Sequence, residues 1–261
     1  MTNLRKQLHR LICGGYLASA LFSQCCGAAR PRLTGLPSVP QSDARVAEAV
    51  SVDHAPKLDG TLGDPLWLNA QPITDFRQRE PFENNPPTEE TEVRILYTRH
   101  AVYFGIRCHD SQPSRIVATE LRRDVSHNLD DHFEILIDSN HDRRGAYVFE
   151  VNPLGTQNDG LIVEEQGGAD GGDFDRGWDG VWTSAARIAS DGWTATIEIP
   201  FTTLNFTHSS DVVWGLNLKR FIRRKNEEDL WSAYRRIFSA TSTFSSRRGG
   251  TSVAGAIRNA P

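Results

Sequence analysis

The sequence predicts an all-β fold, an antiparallel β-sandwich of the carbohydrate-binding-module type with only short helical turns, and two observations predict it. The first is a central pair of alternating runs. In 130–138, Phe133, Ile135 and Ile137 point one way and His132, Glu134 and Leu136 the other. After a polar turn, Tyr147, Phe149 and Val151 oppose Val148, Glu150 and Asn152. Side chains of a strand alternate between its faces, so this is a hairpin with one buried face. The second is that further alternating runs recur at short intervals with Gly, Asn and Asp between them, and no long helical period interrupts them.

The elements follow in chain order. Residues 1–29 begin with Arg5, Lys6 and Arg10, continue through an apolar stretch from Leu11 to Phe22 and end in small residues at Gly27-Ala28-Ala29, the pattern of a secretory signal peptide. Residues 30–54 are rich in Pro, Ser and Ala and read as a flexible tether; 55–246 is the sandwich. Asp64-Pro65 before Leu66-Trp67-Leu68 predicts a capped helical turn. A proline-bearing loop follows from Gln78 to Glu90. Val93, Ile95 and Tyr97 then alternate with Glu92, Arg94 and Leu96, and a tight turn at Arg99-His100 leads into a strand from Val102 to Cys108. Gln166 to Gly180 reads as an acidic glycine loop closed by Trp178-Asp179-Gly180-Val181-Trp182. Trp193–Ile199 and Trp214–Ile222 are the last strands, and 247–261 is a tail or a truncated continuation.

Bulk properties narrow the function classes. The formal net charge is -4; without the three leader bases, 26 bases face 33 acids, a net -7. An acidic domain lacks the basic footprint that a phosphate backbone requires, so nucleic acid is not the expected partner. Cleavage near Ala29 leaves Cys108 as the only thiol, on the apolar face of its strand and read as a small core residue. No Gly-x-Ser-x-Gly elbow, His-Glu-x-x-His helix or phosphate loop occurs, so the reading is non-enzymatic.

Seven pieces in order resemble the family 9 carbohydrate-binding modules. They are Leu58-Asp59-Gly60 with Trp67; Thr91-Glu92-Val93 through Tyr97; Asp130-Asp131 through Asp138; His141 through Asn152-Pro153-Leu154-Gly155; Trp178-Asp179 with Trp182; Gly192-Trp193 through Pro200; and Trp214-Gly215 through Glu227. The chain is most similar to the subgroup found ahead of a predicted outer-membrane β-barrel. The resemblance implies an exported, sugar-binding sandwich (periplasmic, outer-membrane associated or extracellular) with a β-barrel or glycoside hydrolase as partner and, in some members, structural calcium. Members that bind sugar clamp it between two tryptophans and hydrogen-bond its hydroxyls. On that basis the carbohydrate-binding candidates are Trp231 as platform, Glu134, Asn226, Glu150 and Trp178. The chain departs from the pattern at Asn128, where the first tryptophan is expected, and at Glu150, where an arginine is expected.

Each candidate has a second reading. Trp178 could equally pack as a corner against the sandwich. Trp231 follows the charged run Lys225–Asp229, which suggests exposure. Glu134 and Glu150 should project from one face of neighbouring strands, where two carboxylates repel unless a cation intervenes; Lys219 and Arg223 could supply it as an ion-pair ladder. Asp138, Asn140 and Asp142 alternate like the first ligands of a calcium loop, without its glycine, and could instead be a solvated turn. The rival function is a structural domain of an outer-membrane β-barrel protein with a degenerate sugar site. Haem is not expected: Met1 is the only methionine, so a Met/His pair is excluded.

Overall fold

The alternation along the sequence becomes two sheets. The computed structural model describes residues 45–141, 145–163, 173–205, 211–232 and 254–258. Among these, the strands are β1 (Val46–Glu48), β2 (Val50–Ser51), β3 (Arg77–Glu80), β4 (Thr91–Tyr97), β5 (Ala101–His109), β6 (His132–Asp138), β7 (Gly145–Val151), β8 (Gln157–Val163), β9 (Asp173–Asp175), β10 (Thr183–Ala189), β11 (Gly192–Pro200), β12 (Asp211–Ile222), β13 (Glu227–Leu230) and β14 (Ala254–Arg258). The larger sheet runs β1-β14-β12-β6-β7-β8-β9, with β13 and β3 branching from β12; the smaller runs β10-β11-β5-β4-β2. Pairing is antiparallel except for β1 with β14 and β2 with β4. No helix among the described residues is long and apolar enough to cross a membrane, which says nothing of a β-barrel.

The core lies between the sheets. Phe133, Ile135 and Ile137 of β6, Phe149 and Val151 of β7 and Leu218 of β12 meet Val93, Phe104, Ile106, Ala195 and Ile197 of the smaller sheet, all nearly solvent-free. Each such large side chain contributes about 1.5–3 kcal/mol by leaving water. Trp67, Trp193 and Trp214 are core residues as read, and so is Cys108, whose thiol burial pushes up to about 12. The predicted turn at Asp64 is a 3₁₀ helix over Pro65–Asn69, capped by the Asp64 carboxylate accepting from the Leu66 amide.

Two glycines of the sequence motifs permit close backbone approach at the smaller sheet. Gly60 has φ +79° and accepts from Thr194 Oγ1 while donating to Thr196 Oγ1, so the Leu58-Asp59-Gly60 turn is stitched onto β11; a Cβ there would sit 2.8 Å from the Ala186 backbone. Gly192 has φ +140°, and a Cβ would fall 2.0 Å from the Cys108 carbonyl oxygen. Neither position tolerates a side chain.

The structure differs from the sequence reading at four places. Residues 46–51, read as tether, supply β1 and β2, because Ala47 buries its side chain while Val46 and Glu48 face out. Within the loop from Gln78 to Glu90, β3 forms although it is wholly polar, since β13 offers it backbone partners. The acidic glycine loop contains β9, which pairs with β8. The stretch read as a tail carries β14, which lies between β1 and β12.

Candidate functional site

The face of the larger sheet that points away from the core carries a polar row across four strands. Cross-strand register places Lys219 of β12 opposite Glu134 of β6, Glu134 opposite Glu150 of β7, and Glu150 opposite Asn158 of β8. This row follows from the alternation, since the same strands give their apolar residues to the core. Lys219 Nζ lies 2.5 Å from Glu134 Oε1, and Asn158 Nδ2 donates to Glu150 Oε2 at 3.0 Å. The two carboxylates are therefore neighbours on one face, as expected, and Lys219 supplies the expected charge. Arg223 does not: it sits in the turn after β12, where its amide donates to Asp131 Oδ1 and its guanidinium to Asn226.

The segment before β6 is folded over this row by Asp130. Asp130 accepts from the Thr119 amide and hydroxyl, the Glu120 amide and Asn152 Nδ2, at 2.7–3.0 Å. Burial favours its neutral form, but these donors outweigh it and hold its pKa below the ordinary value. Pinned in this way, the segment brings His127 onto Glu150: the ring is fully buried, its Nδ1 2.8 Å from Glu150 Oε1, and its amide donates to the same oxygen at 3.2 Å. His132, one step along β6 from the row, has Nε2 3.5 Å from Glu134 Oε1 and its ring 5.1 Å from that of Phe221.

Electrostatics tie the group together. Burial alone would raise Glu134 and Glu150, but Lys219 acting on the first and His132 on the second reverse this, so both carboxyls stay ionised. Burial opposes charge on His132, and the carboxylates Glu150 and Glu134 overcome it, raising its pKa. Lys219 is raised in the same way by Glu134. Glu134 and Glu150 thus share a nearly dry patch with Lys219 and His132. Beside it Leu136, Val148 and Ile162 form a small apolar cluster on the same face.

The remaining candidates lie elsewhere. Trp231 is 5% exposed and packed in the inter-sheet core, a correction to its reading as an exposed platform. The physical reason is that the charged run before it is not a solvated loop but β13, which pairs with β12 and β3 and turns Trp231 inward, its amide donating to the Leu218 carbonyl. Asn226 is exposed at the tip of the β12–β13 hairpin with φ 46°, a left-handed cap that asparagine accommodates, and is not in the row. Trp178 is half-buried as a corner, its ring 5.0 Å from Tyr147 and 5.9 Å from Phe149. Trp182 is buried and donates to Asp159 Oδ1 at 3.0 Å. All six tryptophans are buried or half-buried. Of the calcium candidates, Asp138 is nearly buried at the end of β6, Asn140 is exposed in the following turn, and Asp142 lies outside the described residues.

Sequence reasoning missed His127, His132 and Phe221. His132 and Phe221 are readable in hindsight, because alternation puts both on the face of Glu134 and Lys219. His127 carried no signal, since its place depends on contacts made by Asp130.

The family model for the "Carbohydrate family 9 binding domain-like" group matches residues 58–235, which includes the whole row. The chain belongs to that family. Among solved structures, this family 9-like chain is similar to a candidate carbohydrate-binding protein from Bacteroides uniformis ATCC 8492, at 12% identity over 81% of this chain and 97% of that one, TM-score 0.54. A carbohydrate binding module family 9 from Caldicellulosiruptor kristjanssonii in complex with glucose aligns at 13% identity over 72% and 85%, TM-score 0.50. These likenesses establish the sandwich of the family 9-like chain, not its ligand. No curated protein matches it.

Proposed function

We propose that this family 9-like domain binds a glycan, without catalysis, at the outer face of β6, β7 and β12. The observation that carries the reading is the Lys219–Glu134–Glu150–Asn158 row, which lies wholly within the family-matched residues and sets charged acceptors and donors side by side on one face. A pyranose needs such partners for its hydroxyl rim and an apolar surface for its C–H face. With five tryptophans buried and Trp178 half-buried in a corner, Phe221 is the half-buried aromatic of this face and takes the stacking role. Structural calcium belongs to the proposal only as an expectation for the turn after β6. An exported location and a role beside polysaccharide-degrading enzymes fit the leader-like first residues and the family's name.

A second reading is favoured by one specific observation. The absence of an exposed tryptophan suits a domain that has lost sugar binding and serves structurally, as the periplasmic or surface part of an outer-membrane β-barrel protein. Calorimetric titration of the protein with mono-, oligo- and polysaccharides, with calcium and with chelator, separates the two. The binding reading expects saturable heat with at least one glycan, weakened tenfold or more by Glu134→Gln and by Phe221→Ala. Silence from every glycan, with the fold intact by circular dichroism, selects the structural reading.

A further inference from the structure

We propose that His132, Glu134 and Glu150, backed by His127, form a site for one divalent transition-metal ion of the zinc class. One ligand atom from each of His132, Glu134 and Glu150 lies within 4.8 Å of the others, and His132 Nε2 is 3.5 Å from Glu134 Oε1. Four donors around zinc at its usual bond lengths stand about 3.4 Å apart, so the pocket closes on such an ion with small side-chain shifts.

Two further observations point to a ligand rather than to a finished ion-pair network. His127 is fully buried, its Nδ1 rests on Glu150 Oε1 at 2.8 Å, and its Nε2 finds no partner. The His127 imidazole on Glu150 would hold that carboxylate in place as a ligand. His132 is already oriented as a ligand: Nδ1 sits 3.2 Å from the Asp130 carbonyl oxygen, which can only accept, so Nδ1 carries the proton and Nε2 is the nitrogen that faces the carboxylates. Imidazole with carboxylate suits zinc and its neighbours, whereas calcium and magnesium favour oxygen throughout.

Lys219 is the competitor. Its ammonium rests on Glu134 Oε1 and supplies the positive charge that the metal would bring, so metal entry requires it to swing aside. The other carboxylate cluster of the described residues makes a useful contrast. Asp124, Asp159 and Asp179 also approach one another, but Arg123 fills their centre, bonding to Asp159, Asp179, Gln157 and the Gly180 carbonyl, and no unmatched buried group is aimed into it.

The inference does not rest on glycan binding, and its test contains no sugar. The full chain, stripped with chelator, is titrated with zinc chloride and with cobalt(II) chloride. The expected result is one equivalent bound, with the intense visible absorption of four-coordinate cobalt. Affinity should fall at least tenfold in His132→Asn and in Glu150→Gln, rise at least tenfold in Lys219→Met, and stay unchanged in His54→Gln, which alters an exposed histidine elsewhere. Melting curves in chelator show whether each variant folds. Should the histidine variant fail to fold, the cobalt spectrum of the unaltered chain and the Lys219→Met titration still decide. Absence of a four-coordinate spectrum, or equal affinity in folded His132→Asn, would overturn the proposal.

Discussion

Beyond the end of β12, Arg224 reaches Asp110 at 2.8 Å and Glu89 at 3.0 Å, Ser111 donates to Glu89 through both amide and hydroxyl, and Lys225 caps the same carboxylate. On the outer face of β12 itself, Lys219 and His132 face Glu134 and Glu150, with His127 resting on Glu150. Both groups are buried and both balance their charges, yet they differ in reach. The first joins the β12–β13 turn to the segments flanking β4 and β5, so it holds the two sheets together. The second lies within one sheet, where backbone pairing already fixes the strands. A buried ion pair that spans two layers constrains the fold; one that lies along a single face is free to serve a ligand.

The largest expected effect breaks the first group. Arg224→Met leaves the Asp110 and Glu89 carboxylates buried beside the lone ammonium of Lys225, and should cost about 3–5 kcal/mol in denaturant unfolding. Acid gives an independent check. Burial would raise Glu89, but Lys225 and Ser111 hold it at about 2, below its ordinary 4.5. A depressed carboxyl stabilises the fold above its unfolded value, and that stability is lost as pH falls from about 5 to about 2. Glu89→Gln should flatten this part of the stability profile.

Next in size is an effect of opposite sign. Asp229 of β13 is fully buried, neither carboxylate oxygen accepts from an N–H or O–H donor, and its pKa is pushed up to about 8, first by burial and then by Glu227. Glu227 is itself anchored by the Thr88 amide and hydroxyl at 2.7 Å. The two carboxyls are satisfied together if Asp229 carries a proton and donates it to Glu227. The folded state then binds more protons than the unfolded one between about pH 4 and 8, so Asp229 makes stability fall as pH rises through that window. Asp229→Asn keeps the donor, removes that slope, and should stabilise the protein at pH 9 by about 1–3 kcal/mol.

This comparison also shows what was legible in the sequence. Strands β4, β5, β6, β7, β11 and β12 announce themselves because apolar residues fall on every second position, and that same alternation puts Glu134, Glu150 and Lys219 on one face. Strand β13 was hidden. Glu227, Glu228 and Asp229 read as solvated charge, and only the partners Thr88 and Arg79, more than a hundred residues earlier, show why they pair. The error at Trp231 follows directly, since its direction is set by that strand. Strand β3, Arg77–Glu80, has no apolar alternation to betray it. His127 was invisible for a related reason: its position is decided by four hydrogen bonds to Asp130, not by anything periodic around it.

The smallest expected effect on stability is also the sharpest test of the contrast. In the double variant Glu134→Gln, Lys219→Met, an anion and a cation leave the outer face together. Removing one partner of a buried pair strands the other, but removing both with shapes kept is nearly neutral, so unfolding should change by less than about 1 kcal/mol. Sugar titration of this variant should lose its heat, because the hydroxyl partners are gone while the sheet is not. If instead the double variant unfolds as readily as Arg224→Met, the outer row is part of what holds the sandwich together, the distinction between spanning and single-face pairs fails here, and the structural reading of the domain gains.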